Sequence, residues 1–269
     1  MHEHMTSAKQ RDYAISLHLP QGDPPEGGHA VVWLLDTPTT WAPMQQALDA
    51  AGGDDMVVIG VGWDPPGAVD PDLRRRDFTQ PARHEVPPPR GSADAWHEDG
   101  DADALLAFLT GTLQPHYLDA LPLDAARQTL VGHSLSGLFV LQALIASPGS
   151  FQRFVAASPS IWWDQARFLE EAGQADWGAA RHARVLLSVG SDEQVVGPEK
   201  PPEIEGEHEA AMLGEPHMVD NASALAELLQ ANGVDCRFRL FEGETHRSVL
   251  APAMAAALAF ARDAGNEPG

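Results

Sequence analysis

The stretch from Thr129 to Ile145 constrains the fold more than any other part of the sequence. An apolar run, Thr129-Leu130-Val131, leads into a turn of small residues centred on Ser134, and a helical apolar pattern follows. A strand, a sharp turn and a helix with a serine at the apex match the G-x-S-x-G arrangement, in which the serine hydroxyl stands exposed above a sheet. We therefore expect Ser134 to be a catalytic nucleophile; the alternative is an ordinary strand–helix turn that needs small residues.

The turn departs from the strict motif at one position. Gly132 and Ser134 match the pattern, but Ser136 occupies the place of the second glycine, and Gly137 follows one position later. Because a serine side chain is small enough for close approach of a helix and a strand, we expect the turn to form.

Apolar strands alternate with helical segments along the rest of the chain. The predicted strands are 11–19, 30–35, 56–62, 129–131, 154–157, 185–189 and 235–241. This alternation predicts right-handed crossovers and an α/β fold, a mostly parallel central sheet with helices on both faces. We expect one domain over residues 1–269, with its chemistry at the carboxyl ends of the strands.

Three segments lack a clear helix or strand pattern. Residues 1–10 are polar, and we expect them to form a flexible tail. Residues 64–100 are rich in proline and carry several arginines, whereas residues 195–216 are acidic and rich in proline. Loops of this length are often functional, so we expect both to be loops or insertions near the active site. Whether 195–216 covers the site as a lid is left open.

We expect the base and the acid that activate Ser134 to lie in the loops that follow the predicted strands. A serine hydroxyl becomes reactive when an imidazole, oriented by a carboxylate, accepts its proton. His246 lies between the last strand and the last helix, and we expect it to be the base. We favour Glu193 as the acid because it follows Gly190 by three residues, an offset common for this acid, and Asp192 is the alternative. The order serine, acid, histidine is that of the α/β-hydrolases.

The tetrahedral intermediate of ester cleavage needs preorganised N–H donors for its oxyanion. We expect the backbone N–H of Leu135 to supply one donor. The second should come from the loop after strand 30–35, where Thr37 is the first choice and Asp36 the alternative. We expect no cofactor and no metal, because a solvated acidic loop accounts equally well for His208 and its neighbouring glutamates.

Composition excludes several classes of partner. The formal net charge of −22 argues against nucleic acid and anionic membrane surfaces as main partners, but it says little about the substrate. Ser134 and His246 are what lead us to expect a small-molecule ester substrate. One cysteine, Cys236, allows no intrachain disulfide. Residues 1–11 contain no apolar leader, and no apolar run approaches the length of a membrane span, so we expect a cytoplasmic protein. The oligomeric state is not predicted.

Six short motifs occur in a characteristic order along the chain. They are Tyr13–Pro20, Val32–Asp36, Arg74–Thr79, Gly132–Leu135, Ser158–Trp163 and Gly243–His246. Together they resemble the esterase D-like branch of the α/β-hydrolases, which includes cytoplasmic hydrolases of trilactone siderophores. The resemblance runs from about Tyr13 to the end of the chain. It implies a serine carboxylesterase that works through an acyl-enzyme, with a siderophore trilactone as the leading substrate.

The chain also differs from that branch. Thr37 replaces the usual glycine of the branch, and the short N-terminus suggests that an opening edge strand is missing. Some siderophore hydrolases of the branch work with a serine–histidine pair alone, so a triad acid is not required by the resemblance.

The resemblance also implies two substrate-binding residues. Arg76 belongs to a branch motif near the active site, and its guanidinium would bind an anionic group such as a ferric catecholate or a carboxylate. The alternative is that Arg76 or its neighbours hold the long loop through internal salt bridges. Of the pair Trp162 and Trp163, we favour Trp163 as the wall of a substrate pocket, with packing in the core as the alternative.

Other functions remain open at this point. A general small-molecule or hydroxycinnamoyl carboxylesterase would use the same residues. An acyltransferase would keep the acyl-enzyme and change the acceptor, and a hydrolase fold kept as a binding module would lack catalysis altogether.

Overall fold

The computed structural model describes residues 2–52, 55–63, 69–85, 99–194 and 217–263. For His2 it describes the backbone only. In these residues, eight strands form one sheet. The strands are β1 (His2–Thr6), β2 (Asp12–His18), β3 (His29–Leu35), β4 (Met56–Gly62), β5 (Leu123–His133), β6 (Arg153–Ala157), β7 (Arg184–Gly190) and β8 (Asp235–Phe241). The prediction of an α/β fold with a mostly parallel sheet is confirmed.

The order of the strands in the sheet is β1-β2-β4-β3-β5-β6-β7-β8. The pairs β1–β2 and β2–β4 are antiparallel, and every other neighbouring pair is parallel. The parallel strands therefore end at one common edge, where the loops after β3, β5, β6, β7 and β8 meet.

Helices cover both faces of the sheet. They are α1 (Thr37–Ala50), α2 (Pro71–Phe78), α3 (Ala102–Phe108), α4 (Gln114–Ala120), α5 (Leu135–Ala146), α6 (Trp163–Gln174), α7 (Met218–Ala231) and α8 (Leu250–Arg262). A π-helical turn, Leu109–Leu113, joins α3 to α4. The core on one face contains residues of α1 and α8, and the core on the opposite face contains residues of α2 to α7.

The central strand β3 shows why its sequence is a continuous apolar run. All of its residues are buried, and alternate side chains enter the two cores. Val31, Trp33 and Leu35 lie in the core of α2 to α7, whereas Val32 and Leu34 lie in the core of α1 and α8. A parallel strand with both faces covered needs apolar residues at every position.

The N-terminal segment differs from the prediction of a flexible tail and of a missing edge strand. Residues His2–Thr6 form β1, which pairs with β2 in antiparallel register. Met5 packs against the core, and the Tyr117 hydroxyl donates a hydrogen bond to the Glu3 carboxylate. An edge strand is held largely by backbone hydrogen bonds to its neighbour, so it does not need the apolar run by which a strand is recognised in a sequence.

The predicted loop at 64–100 contains a helix. Residues Pro71–Phe78 form α2, whose first turn is capped by Asp70: its carboxylate accepts from the backbone N–H groups of Asp72 and Leu73. The density of charged residues in α2 concealed its helical pattern. The predictions for residues 64–68, 86–98 and 195–216, including the group around His208, lie outside the described residues.

None of the helices in the described residues is both long enough and apolar enough to cross a membrane.

Candidate active site

Ser134 occupies a strained turn between β5 and α5. Its backbone angles are φ 61° and ψ −124°, which non-glycine residues rarely adopt. The turn requires Gly132, because a Cβ atom there would lie 2.3 Å from the carbonyl oxygen of Ser136. The strained conformation lifts Ser134 above the carboxyl edge of the sheet.

Ser136, the departure from the strict motif, stabilises this turn by hydrogen bonds. Its Oγ donates to the carbonyl oxygen of His133 at 2.8 Å and accepts from the N–H of His133 at 2.9 Å. The side chain is fully buried. A serine therefore replaces the glycine of the motif without clash, and its hydroxyl both donates and accepts a hydrogen bond.

His246 lies in the loop between β8 and α8, and the structure brings it to Glu193. Nδ1 of His246 and Oε2 of Glu193 lie 2.6 Å apart, and the glutamate side chain is 2% exposed. A carboxylate can only accept a hydrogen bond, so Nδ1 carries the proton of the neutral ring. Nε2 is then the basic nitrogen of His246.

Asp192, the alternative acid, is an exposed residue of the same short turn. Its side chain and that of Glu193 diverge, since consecutive residues of a tight helical turn point in different directions. The structure therefore brings Glu193 to His246 and leaves Asp192 at the surface.

The other oxygen of the Glu193 carboxylate is also hydrogen-bonded. Oε1 accepts from Oγ of Ser158 and from the backbone N–H of Gly190, each at 2.6 Å. Gly190 is required here, because a Cβ atom would lie 2.1 Å from the carbonyl oxygen of Glu244. Both oxygens of the Glu193 carboxylate are thus held by hydrogen bonds.

The hydroxyl of Ser134 lies beside a second serine. Oγ of Ser134 and Oγ of Ser160 are 3.3 Å apart, and the N–H of Ser160 donates to the carbonyl oxygen of Ser134 at 3.1 Å. Neither Ser158 nor Ser160 was predicted as a site residue. The available signal was their position, since both follow the buried strand β6 at the carboxyl edge of the sheet.

Thr37 and Leu135, the predicted oxyanion donors, are the first residues of α1 and α5. The first N–H groups of an α-helix have no acceptor within the helix, so both can donate to an anion. Asp36 precedes Thr37 in a left-handed conformation with φ 63°. The Thr37 side chain fits because the residue that faces it on β4 is a glycine. A Cβ atom at Gly62 would lie 2.0 Å from Oγ1 of Thr37.

His133 supports the loop that carries the proposed base. Its Nε2 donates to the backbone carbonyl of His246 at 3.1 Å, and the two ring centroids are 4.5 Å apart. Burial lowers the pKa of His133 well below 6.5, and the neighbouring His246 and Arg74 lower it further. His133 is therefore a neutral structural donor.

Arg76 does not match the prediction of a substrate-binding residue. Its Nε and Nη2 donate to the two oxygens of Asp77 at 2.7 Å and 2.9 Å, and both residues are buried. Asp77 also accepts from the indole N–H of Trp63 at 2.8 Å. Arg76 thus forms an internal salt bridge within α2, as in the alternative, and it is Asp77 that connects this helix to Trp63 at the end of β4.

Arg74 is the arginine that reaches the junction between β3 and α1. Its Nε donates to Oδ2 of Asp36 at 3.1 Å, and the arginine side chain remains 18% exposed. Asp36 is fully buried, so Arg74 compensates a buried charge directly before Thr37.

Trp163 is a largely buried core residue that lines a small cavity together with Leu138. It is 4% exposed and packs with the apolar side chains of the larger core. Trp162 is only half-buried and contacts a small apolar cluster that includes Val189 and Met218. Of the two tryptophans, Trp162 is the more accessible to a ligand.

Comparison with known proteins identifies relatives over nearly the whole chain. The sequence profile of the family described as "Putative esterase" matches residues 6–261. Ferri-bacillibactin esterase BesA of Bacillus subtilis is 31% identical over 94% of this chain and 86% of its own length. A siderophore enterobactin esterase of Emericella nidulans is 35% identical over 76% of this chain and 71% of its own length.

A solved structure shows the same architecture. Siderophore hydrolase EstA from Aspergillus nidulans superposes with a TM-score of 0.80 and 29% sequence identity, covering 98% of this chain and 95% of that one. Fold, strained serine and sequence similarity agree: this chain belongs to the Putative esterase family and is a carboxylic ester hydrolase.

Proposed function

We propose that this esterase hydrolyses the ester bonds of siderophores through an acyl-enzyme, with Ser134, His246 and Glu193 as its catalytic triad. The observation that carries the mechanism is the 2.6 Å hydrogen bond between His246 and Glu193, because it sets the tautomer of the imidazole. The substrate class is supported by the relatives, whose names describe esterases of bacillibactin and enterobactin.

In the acylation step, Oγ of Ser134 turns from Ser160 towards His246 and attacks the ester carbonyl carbon. Its proton passes to Nε2 of His246 as the new C–O bond forms. The N–H groups of Leu135 and Thr37 donate to the oxyanion of the tetrahedral intermediate. When the intermediate collapses, the alcohol leaves and takes the proton from the imidazolium.

In the deacylation step, a water molecule replaces the alcohol. Nε2 of His246 accepts a proton from the water, whose oxygen attacks the acyl carbon. Collapse of the second intermediate breaks the bond to Ser134, which regains its proton from the imidazolium. The acid product leaves and the resting enzyme is restored. Glu193 stays ionised throughout and stabilises the imidazolium.

Recognition of the substrate is assigned to Arg74 and Trp162 in place of Arg76 and Trp163. The guanidinium of Arg74 is fixed through Nε by Asp36, and in the described residues no carboxylate pairs with its Nη atoms. These groups suit a ferric catecholate or a carboxylate. Trp162 offers an aromatic surface against which a catecholate ring can stack. Arg74→Lys, which keeps the charge and loses the planar fork, should lower kcat/KM for anionic esters more than for neutral ones.

Labelling with a fluorophosphonate probe tests the nucleophile. The wild-type enzyme should be labelled, and Ser134→Ala should not, while Ser147→Ala at the far end of α5 should label as the wild type does. Absence of label on the wild type would instead favour a binding module.

Turnover tests the substrate. Ferric and iron-free trilactones and short p-nitrophenyl esters are compared at equal enzyme concentration, with the products separated by liquid chromatography. We expect faster cleavage of a trilactone. Good rates on the short esters with no cleavage of any trilactone would assign a general carboxylesterase instead.

We also propose that the chain is one domain and that the protein acts in the cytoplasm. All described strands belong to one sheet, which supports a single domain. Hydrolysis of an iron-loaded siderophore releases the metal where the reaction occurs, and iron is used inside the cell. Fractionation of cells that express the tagged full-length chain tests the location.

A further inference from the structure

The loop Ser158-Pro159-Ser160 has a contact that the two-step mechanism does not use. Ser158 directly follows β6 and is fully buried. Its φ of 40° is in the left-handed region, where a non-glycine residue is strained. The N–H of Ser158 donates to the carbonyl oxygen of Ser188 at 2.7 Å, which holds the strained residue against β7. Strain retained at a buried serine indicates that its side chain has a task.

The partner of that side chain is the carboxylate of Glu193. Oγ of Ser158 donates to Oε1 at 2.6 Å, while Oε2 faces Nδ1 of His246 at 2.6 Å. The backbone N–H of Gly190 is the second donor to Oε1. Because two donors hold one oxygen, the carboxylate cannot rotate without breaking them, and the other oxygen stays directed at the imidazole.

We propose that Ser158 is a positioning residue that fixes the Glu193 carboxylate for His246. The proposal rests on the proposed role of Glu193 as the triad acid. Among the described residues, the Ser158 hydroxyl bonds to Glu193, whereas Ser160 is the serine at the Ser134 hydroxyl. Ser158 therefore acts by restricting the rotation of the glutamate side chain.

The same loop also holds the nucleophile. The N–H of Ser160 donates to the carbonyl oxygen of Ser134, two residues after the contact of Ser158 with the acid. One short loop therefore sets the acid and the nucleophile relative to each other, and this accounts for the strained backbone of Ser158.

Kinetics of Ser158→Ala and Ser158→Gly test the proposal. Each variant removes the hydroxyl, and glycine in addition relieves the strain at positive φ. We expect kcat to fall about 10- to 100-fold in both, the loss of one hydrogen bond to a charged group, with KM nearly unchanged. Ser150→Ala is the control: it removes a hydroxyl in contact with Ser147 at 2.6 Å, away from the site. It should leave kcat unchanged. If Ser158→Ala folds poorly, Ser158→Gly decides.

A double-mutant cycle with Glu193→Gln separates positioning from general damage. Once the acid is neutralised, adding Ser158→Ala should cost little further activity. The proton NMR resonance of the His246 Nδ1–H should shift in Ser158→Ala and stay in place in Ser150→Ala.

Three outcomes would overturn the proposal in distinguishable ways. If Ser158→Ala and Ser158→Gly keep full kcat while Glu193→Gln is impaired, Ser158 has no role and the acid stands. If the two penalties multiply in the cycle, Ser158 acts independently of Glu193. If Glu193→Gln retains full activity, the triad acid itself is wrong, and the role of Ser158 falls with it.

Discussion

Nδ1 of His246 lies 2.6 Å from Oε2 of Glu193, although the two residues are 53 positions apart in the chain. The contact joins the loop after β7 to the loop after β8, which are neighbouring parallel strands. The contact identifies Glu193, rather than the adjacent Asp192, as the carboxylate that meets His246.

Neutralising each acid in turn tests this distinction. We expect Glu193→Gln to lower kcat by at least about 100-fold, because the imidazolium loses the carboxylate that stabilises it. Asp192→Asn, one residue earlier, should change kcat little, since Asp192 lies at the surface. Steady-state rates on one ester measure both. A larger loss in Asp192→Asn than in Glu193→Gln would assign the acid to Asp192.

Gly190 should resist even the smallest side chain. A Cβ atom there would lie 2.1 Å from the Glu244 carbonyl oxygen and 3.0 Å from Oε1 of Glu193. We expect Gly190→Ala to cost about 1–3 kcal/mol of unfolding free energy, the usual penalty of overpacking, and to lower kcat.

Gly173 provides the matched control for Gly190. It is exposed in α6, and nothing lies within 4 Å of an added Cβ atom. Gly173→Ala should gain up to about 0.5 kcal/mol, because alanine favours the helix and Gly173 lies in its last turn. Thermal unfolding and kcat are measured on both variants. Equal effects at the two positions would mean that the close contact at Gly190 does not exist in solution.

Arg76 should matter for stability and not for substrate selection. Asp77 is fully buried, and Arg76→Ala removes its bidentate partner. Asp77 keeps Arg11 at 3.4 Å and the indole N–H of Trp63, so the loss of this partner should cost about 1.5–3 kcal/mol. Denaturant unfolding measures the loss, and the ratio of kcat/KM for anionic and neutral esters should stay constant. A changed ratio with unchanged stability would restore Arg76 as a substrate-binding residue.

His133 should make the enzyme less stable in acid. Its folded-state pKa lies well below 6.5, so below about pH 6.5 the unfolded chain binds a proton here that the folded protein does not. The unfolding free energy therefore decreases as the pH falls below that value, by up to about 1.4 kcal/mol per pH unit from this residue.

The variant His133→Gln isolates this contribution, because glutamine retains an N–H donor and does not titrate. Chemical denaturation is measured between about pH 8 and pH 5 for both proteins. The stability advantage of the wild type over the variant should shrink as the pH falls. Parallel pH dependences would show that His133 takes up its proton equally in both states.

Several features followed from the sequence because their causes are local. The strand at 235–241 was predicted with the bounds that the structure has, since the alternation of its side chains is visible in the chain itself. The turn at Ser134 was predicted because a strand, small residues and a helix follow one another directly. The parallel sheet then followed from the alternation of helices and strands.

Other features depended on contacts between distant residues. β1 is held by backbone pairing with β2. Its own sequence contains no apolar run from which a strand could be predicted. The charged helix α2 is anchored by Asp77, whose partner Trp63 lies 14 positions away. Local patterns do not contain these partners, so the sequence suggested a tail and a loop.

The sequence by itself determined the type of sheet, the strained serine and the set of residues at its carboxyl edge. Only the tertiary structure decided which side chains meet: Glu193 and not Asp192 at His246, Arg76 at Asp77, and the unpredicted Ser158 at the Glu193 carboxylate. The reason is physical. A period of apolar residues decides which face of an element is buried, but the direction of a charged side chain is decided by partners that only folding brings within hydrogen-bond distance.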